Sequence, residues 1–350
     1  MGKLYFVDQF ESLQDLSIYN NHYYWPLGPF PAILLMPFVF ISGLFGKFFY
    51  QRYLQYLLVI GVFYLASEIA KKIGFKKFDQ ILWALVFTFG SAFIGVAWMP
   101  RAWFFSQVIT VFLLFLAILE FLGKKRYLVL GTIFGSILLT RLTASLGILF
   151  LILEIIIFTK KTLPEKGKNI FILLLPFLFS LLILLVYNHL RFGNFFEQGY
   201  NFQILKNDAL TRKNLGLFSI KHLPTNLYYF FVKSPKLILK FPFIVNDMNG
   251  VNIFVTSPYF IYLFFLKNRY RLSKIIWITV MIIAIPIFLY YGIGIKQYGY
   301  RYSLDFLPFL FFLLMQNYYL SYKKISKQFG LLLFFSIFIN VYLMLMLLNR

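Results

Sequence analysis

Cysteine is absent from the 350 residues, which excludes disulfides, thiolate chemistry and Cys-ligated metals. Histidine is scarce: only His22, His189 and His222 occur, and no two are spaced as metal ligands on one helix. Acids are few as well, 12 against 34 Lys and Arg, and charged residues of both signs make up 13% of the chain. A soluble protein of this size needs far more charge to cover its surface. A secretory leader is not expected either, because residues 1–24 are polar and aromatic. Nor is there a repeat of fixed period or a low-complexity linker.

What fills the chain instead is apolar. It is 61% hydrophobic and 22% aromatic, and its mean hydropathy is +0.77. Several runs reach the roughly 20 residues that one bilayer-spanning helix needs. The expected fold class is an all-α polytopic membrane protein. Candidate spans lie at 52–70, 80–98, 102–123, 127–140, 142–159, 169–187, 251–266, 274–293, 303–320 and 329–348. The two short runs 127–140 and 142–159 meet at Thr140-Arg141-Leu142 and predict a tight helical hairpin. Thus 1–350 reads as one membrane domain of about ten transmembrane helices. Residues 1–50 supply an external loop and an outer-face juxtamembrane helix, 51–187 and 251–350 the spans, and 188–250 a long external loop.

The net charge of +22 suggests nucleic acid in a soluble protein. Here the cations sit in short loops between spans, where positive charge fixes orientation, and no nucleic-acid partner is expected. Lys71, Lys72, Lys76 and Lys77 form one basic loop; Lys124, Lys125 and Arg126 a second; Lys160, Lys161, Lys166 and Lys168 a third. Lys267, Arg269, Arg271 and Lys274 form the fourth, and Lys323, Lys324 and Lys327 the fifth. These are alternate loops if each span crosses once, which places them in the cytoplasm. A full crossing by 28–46 would then leave residues 1–24 in the cytoplasm, but its prolines and glycines predict instead a segment that dips in from the outer face. Residues 1–24 lie outside with it.

The stretch 188–250 is the long polar interruption in an oily sequence. A loop of this length between spans is functional or disordered, and its aromatics and glycines argue for function. The expected outer face collects Arg101, Arg141, Arg191 and Arg301, and arginine suits a phosphate through its planar fork of donors. The competing reading for each is a snorkelling cation or an ion pair; Arg301 and Asp305, four apart, would pair along a helix. The acids on this face are Asp8, Glu11, Asp15, Glu197, Asp208, Asp247 and Asp305. Transfer to a hydroxyl needs a carboxylate to take its proton, and Asp15 or Asp8 could serve. Tyr19, Tyr23, Tyr24 and Trp25 suit either stacking on a sugar or an interfacial belt. Glu68, Glu120 and Glu154 lie near cytoplasmic span ends, which argues against a polar path through the bilayer and so against a lipid or polysaccharide translocase.

Five stretches resemble the GT-C superfamily of membrane glycosyltransferases, on the side of protein O-mannosyltransferases and aminoarabinose transferases. The first runs from Asp15 through Tyr19-Asn20-Asn21-His22-Tyr23-Tyr24 to Trp25-Pro26-Leu27-Gly28-Pro29 and is similar to an acid, YNGxYY and a PPGP-like turn. Leu138-Leu139-Thr140-Arg141 is the second. Tyr187-Asn188, Arg191-Phe192-Gly193-Asn194 and Glu197-Gln198-Gly199-Tyr200 make the third. Gly250-Val251 to Ser257-Pro258 is the fourth, and Gly299-Tyr300-Arg301-Tyr302 through Asp305 to Pro308 the fifth. The resemblance implies a polyprenyl-phosphate-linked sugar as donor and a glycan, lipid or protein acceptor. It implies the cytoplasmic (inner) membrane of a prokaryote with the active face outward. Arg141, Arg191 and Arg301 would surround the lipid phosphate, with Asn188, Glu197, Tyr200, Tyr24 and Asp305 shaping the pocket. No cofactor is assigned beyond the lipid-linked donor, the residues offer no all-protein metal cage, and a divalent metal requirement is left open. The family's first helix and its usual acid precede the YNGxYY region, so the chain reads as starting within that loop. Asp15 then ranks as shaping the site, and an inactive remnant or accessory subunit is the rival reading.

Overall fold

The computed structural model describes residues 3–6, 15–205, 207–241, 243–245 and 248–348. The architecture is mostly helical. Two short strands, β1 (Ser17–Tyr19) and β2 (His22–Tyr24), precede α1 (Phe30–Leu44), α2 (Gln51–Ile73), α3 (Lys77–Phe89), α4 (Phe93–Ala97) and α5 (Ala102–Leu122). Then come α6 (Tyr127–Leu138), α7 (Leu142–Ser145), α8 (Ile148–Phe158) and α9 (Leu163–Phe192). The polar stretch holds α10 (Asn207–Lys213), α11 (Leu223–Leu227), a π-turn Tyr228–Val232 and strands β3 (Lys236–Leu237), β4 (Ile244–Val245) and β5 (Asn249–Val251). The chain closes with α12 (Ile253–Thr256), α13 (Tyr262–Phe265), α14 (Ser273–Leu289), β6 (Gln297–Gly299), α15 (Leu307–Tyr322) and α16 (Lys327–Leu348).

Among the described residues, α2, α5, α9 and α16 are long and apolar enough to cross a membrane. Their outward residues explain why: Phe171, Leu175, Leu178, Phe179 and Leu182 on α9 are exposed, a face that suits lipid and not water. α5 is the inner helix, with Phe105, Val108, Ile109, Val111, Leu114 and Phe115 buried against α2 and α6. Phe87, Phe115 and Phe311 meet edge to face and fill the centre.

Several expected spans are not single helices. The run 80–98 breaks at Gly90-Ser91, where the Ser91 hydroxyl turns back on the Phe87 carbonyl. The run 251–266 opens as β5, paired in parallel with β6, and continues through α12, a 3₁₀ turn at Pro258–Ile261 and α13. Asn252 caps α12, and Ser257, preceding Pro258, leaves the helical region and ends it. In 142–159 the helix is interrupted between α7 and α8. Broken backbone needs partners in an apolar setting, and α16 supplies them. Ser336 donates to the Gly90 carbonyl at 2.6 Å and to the Thr256 carbonyl at 3.1 Å, and Asn340 donates to Thr256 as well.

The hairpin expected at 127–159 is also different. α6 lies on α9 and α5, while α8 packs on α14 and α9. The cause is small residues: a Cβ on Gly131 would strike the Leu173 carbonyl, and one on Gly135 the Ser180 hydroxyl, so glycine lets the α6 and α9 backbones touch.

The five basic loops gather at one end of the bundle. Lys125 pairs with the buried Glu154 at 2.5 Å, and Arg271 lies over Phe158. Arg269 donates to the Leu320 carbonyl, and the Ile325 amide donates to Asp79. Arg126 bridges Glu120 through two bonds at 2.9 and 3.0 Å. The long polar stretch gathers at the other end. Strand residues 15–18 pair with 202–204 there, through Asp15 N–H to Ile204 O at 3.0 Å and Ile204 N–H to Leu16 O at 2.8 Å.

Candidate active site

At the end opposite the basic loops the helices frame a cleft of about 690 Å³, a volume that suits a ligand of substrate size. Five chain segments meet around it. The Pro26-Leu27-Gly28 turn forms one edge; a Cβ on Gly28 would collide with the Leu139 carbonyl, so only glycine lets this turn rest on the end of α6. The Phe30 amide donates to the same carbonyl at 3.1 Å. Arg101, Trp103 and Phe104 form a second wall; Thr140 to Thr143 a third. Phe196 to Tyr200 with α10 form the fourth, and Tyr290 to Ile295 with Arg301 and Tyr302 close the ring.

Arg301 is buried, and its guanidinium lies 5.1 Å from the Phe104 ring centre and 4.6 Å from that of Tyr302. Its Nη1 donates to Gln107 Oε1 at 3.3 Å and Nη2 to the Tyr302 hydroxyl at 3.4 Å, while Nε is buried with no hydrogen-bond partner. Among the described residues no carboxylate lies within ion-pair distance of it. Two glutamine side chains hold the backbone of this turn: Gln107 Nε2 donates to the Arg301 carbonyl at 3.1 Å, and the Arg301 amide donates to Gln297 Oε1 at 3.3 Å. A guanidinium stays charged at any accessible pH, so a buried one without an acid is costly until an anion arrives.

Arg141 has the opposite arrangement. Its Nε and Nη2 clamp Asp305 at 2.6 and 2.9 Å, and Thr143 adds a short hydroxyl bond to the same carboxylate. Asp305 therefore pairs across the fold with Arg141, not along a helix with Arg301 as the spacing suggested; 301–305 is a 3₁₀ turn, which removes the i,i+4 geometry.

Asp15 lines the cleft in a half-buried position. Its φ of 70° lies in the left-handed region, which aspartate adopts more readily than most residues, and Gln203 Nε2 holds its carbonyl at 3.3 Å. Burial raises its pKa above the ordinary carboxylate value, and the positive charge of Arg301 acts against that shift. Glu197 also lines the cleft, but its oxygens are engaged by the Gly199 amide at 2.6 Å and by Asn201. Tyr200 stands beside Arg141, and burial pushes its hydroxyl up to about 12. It remains a neutral donor at physiological pH.

The structure brings Asp15, Arg141, Arg301, Glu197 and Tyr200 to one cleft, and leaves Asn188, Arg191, Tyr24 and Asp305 off its surface. Asp305 sits behind Arg141 and is fully buried. Asn188 and Arg191 are not loop residues, because α9 continues to Phe192 and stops at Gly193, whose φ is +67°. Arg191 stacks 3.9 Å from the Tyr187 ring centre and donates to the Trp25 carbonyl at 3.0 Å; Asn188 donates to the Phe195 carbonyl at 3.1 Å. Tyr24 packs on Phe192 at 5.0 Å. These three hold the first loop against the long one. Asp8 lies outside the described residues.

Sequence reasoning missed Gln107, Gln203, Arg212, Tyr290 and Tyr291. Arg212 lines the cleft and donates to the Tyr291 carbonyl at 3.0 Å, and the Tyr291 hydroxyl donates to Gln203 at 3.0 Å. Gln107 was findable, being a lone amide in the apolar run of α5. Among the described residues no group of three His, Asp or Glu side chains is placed to hold a metal. Matched against protein-family models, curated proteins and solved structures, the chain pairs with none.

Proposed function

We propose that the cleft binds the phosphate of a polyprenyl-phosphate-linked sugar and transfers the sugar to an acceptor hydroxyl on a glycan, lipid or protein, as in GT-C glycosyltransferases. The observation that carries this reading is Arg301, a buried guanidinium with an unsatisfied Nε, in the same cleft as an acid with a raised pKa. Arg101, Arg141 and Arg212 line that cleft too, so developing charge on a leaving phosphate meets fixed cations. Asp15 takes the proton from the acceptor hydroxyl as its oxygen bonds to the anomeric carbon, and the bond to the phosphate oxygen breaks. This assigns Asp15 the base role, beyond the site-shaping one that the motif resemblance implied. The lipid phosphate leaves as the anion held by the arginines. Apolar Leu138, Leu142 and Leu184 on the cleft wall suit the first isoprenoid units.

In this reading the basic end faces the cytoplasm of a prokaryotic inner membrane and the cleft faces outward. About ten membrane segments, counting the shorter and broken helices, complete the bundle, and α1 enters the outer leaflet from the cleft end. At about 22 Å, α1 is too short to cross a hydrocarbon core of about 30 Å. A translocase is disfavoured because, among the described residues, the bulky Phe105, Leu307, Phe309 and Phe311 are buried through the bundle centre and the spans' acids Glu68, Glu120 and Glu154 lie at the basic end. The test is transfer from radiolabelled polyprenyl-phosphate sugars in membranes carrying the chain. Transfer, lowered but still measurable in Arg301→Lys, is expected. Neither transfer nor binding of any such lipid, with the fold intact, would overturn the proposal and leave the accessory-subunit reading.

A further inference from the structure

Between Ala209 and Asn246 the chain carries Arg212, Lys213, Lys221, Lys233, Lys236 and Lys240 and not one acid. Within that interval β3 and β4 form an antiparallel hairpin, Lys236 opposite Val245 and Leu237 opposite Ile244. The tip closes through Ile238 N–H to Phe243 O and Phe243 N–H to Lys240 O, both 2.8 Å. Its root is fixed: the Asn252 amide donates to the Lys233 carbonyl at 2.8 Å, and the Asn252 side chain donates to Lys233 at 3.0 Å while capping α12. The tip turns its oil outward. Leu239 is 100% exposed, Leu237 80% and Phe241 73%, with exposed Lys236 and Lys240 interleaved. Water is a poor neighbour for such a loop, and β5, which follows it, carries Asn249 to the cleft wall.

We propose that the β3–β4 hairpin is a surface anchor that docks into the headgroup layer of the bilayer around the helices. Leu237, Leu239 and Phe241 enter the acyl boundary, and Lys236 and Lys240 contact anionic phospholipid. The acid-free charge of the hairpin and the two lysines that bracket Leu237 and Leu239 select an anionic lipid surface over a protein groove. The anchor sets the height of the cleft relative to the lipid phosphates without contributing a group to it.

The lack of cysteine makes the test direct, since Leu239→Cys introduces a single thiol. The full chain carrying an environment-sensitive fluorophore there is placed in nanodiscs of phosphatidylcholine with or without phosphatidylglycerol, and Thr211→Cys on α10 serves as the reference. The expected result is a blue-shifted signal at the hairpin, quenched by lipids spin-labelled near the headgroup, and stronger with phosphatidylglycerol. Neutralising Lys236→Gln and Lys240→Gln should lower the docked-to-undocked ratio about fivefold each. Emission equal to that of the Thr211→Cys reference in both lipids overturns the proposal. So does a blue shift that follows protein density, which marks a second copy, or one that ignores both lysines and anionic lipid.

Discussion

Asp15 has lost water and, among the described residues, gained no cation at hydrogen-bonding distance, and this fixes the sign of its response to pH. Its carboxyl titrates above the usual range because of burial, with Arg301 working the other way. The charged form is therefore disfavoured by folding, and the penalty grows as pH rises from the unfolded carboxylate value through the folded one. Asp15→Asn should leave the protein as stable or more stable at pH 7 by thermal unfolding, with that gain vanishing near pH 3. The same change should lower transfer by about 10²- to 10⁴-fold, the usual worth of a general base. Arg301→Gln should move the acid limb of kcat/KM to higher pH, because it removes the charge that lowers the Asp15 pKa; a limb that moves down or stays put removes Asp15 from the base role. Asp305 calls for a different measurement. Asp305→Ala strands Arg141 beside the cleft and should cost about 3–5 kcal/mol, whereas Arg141→Met with Asp305→Leu should restore most of it. Equal melting of Asp305→Ala and the parent protein in detergent would mean the pair contributes nothing to the fold.

At the scale of the element, the contact between α6 and α9 decides whether Arg141 reaches the cleft. The end of α6 carries Leu139, on which the Gly28 turn rests, then Thr140 and Arg141. Gly131 faces the Leu173 carbonyl and Pro176, and Gly135 faces Ser180. Gly131→Leu should force the helices apart, cost about 1–3 kcal/mol and lower transfer along with stability. Gly43→Ala on α1, where a Cβ meets nothing within 4 Å, should do neither; comparing unfolding and activity of the two checks it. This contact also marks where the sequence was legible. The apolar runs announced helices, but hydropathy counts oil and is blind to backbone breaks. The run 251–266 was read as one span although Asn252 and Ser257-Pro258 signal a cap and a stop. Likewise Gly193 marks the end of α9 plainly, yet the polarity of Asn188 and Arg191 drew the boundary five residues early. Arg141 and Arg301 were legible as cleft residues because polar groups are costly among apolar neighbours, whereas Asp15 and Tyr200 stood out through the motif pattern alone. Their partners were not, since Asp305 meets Arg141 across 164 residues of chain.

For the whole molecule, the two ends of the bundle differ in what their charges do. At the basic end Lys125, Arg126 and Lys71 answer Glu154, Glu120 and Glu68, and further lysines stand free on exposed loops. At the cleft end Arg301 is buried and unanswered by an acid among the described residues. Exposed lysines at short loops hold a membrane protein's orientation and little else, whereas a buried arginine has to be matched by a ligand or be retained at a cost. The functional reading therefore requires that these ends lie in different compartments. Lys72→Cys and Lys221→Cys, each the single thiol of its chain and each exposed in the fold, test this with a reagent that does not cross the bilayer. In intact cells Lys221→Cys should label and Lys72→Cys should not, and in inverted vesicles the pattern should reverse. If both label from one side, an arginine-lined cleft facing away from the basic loops is not what the membrane holds, and a lipid-borne donor presented outside has no route to Arg301.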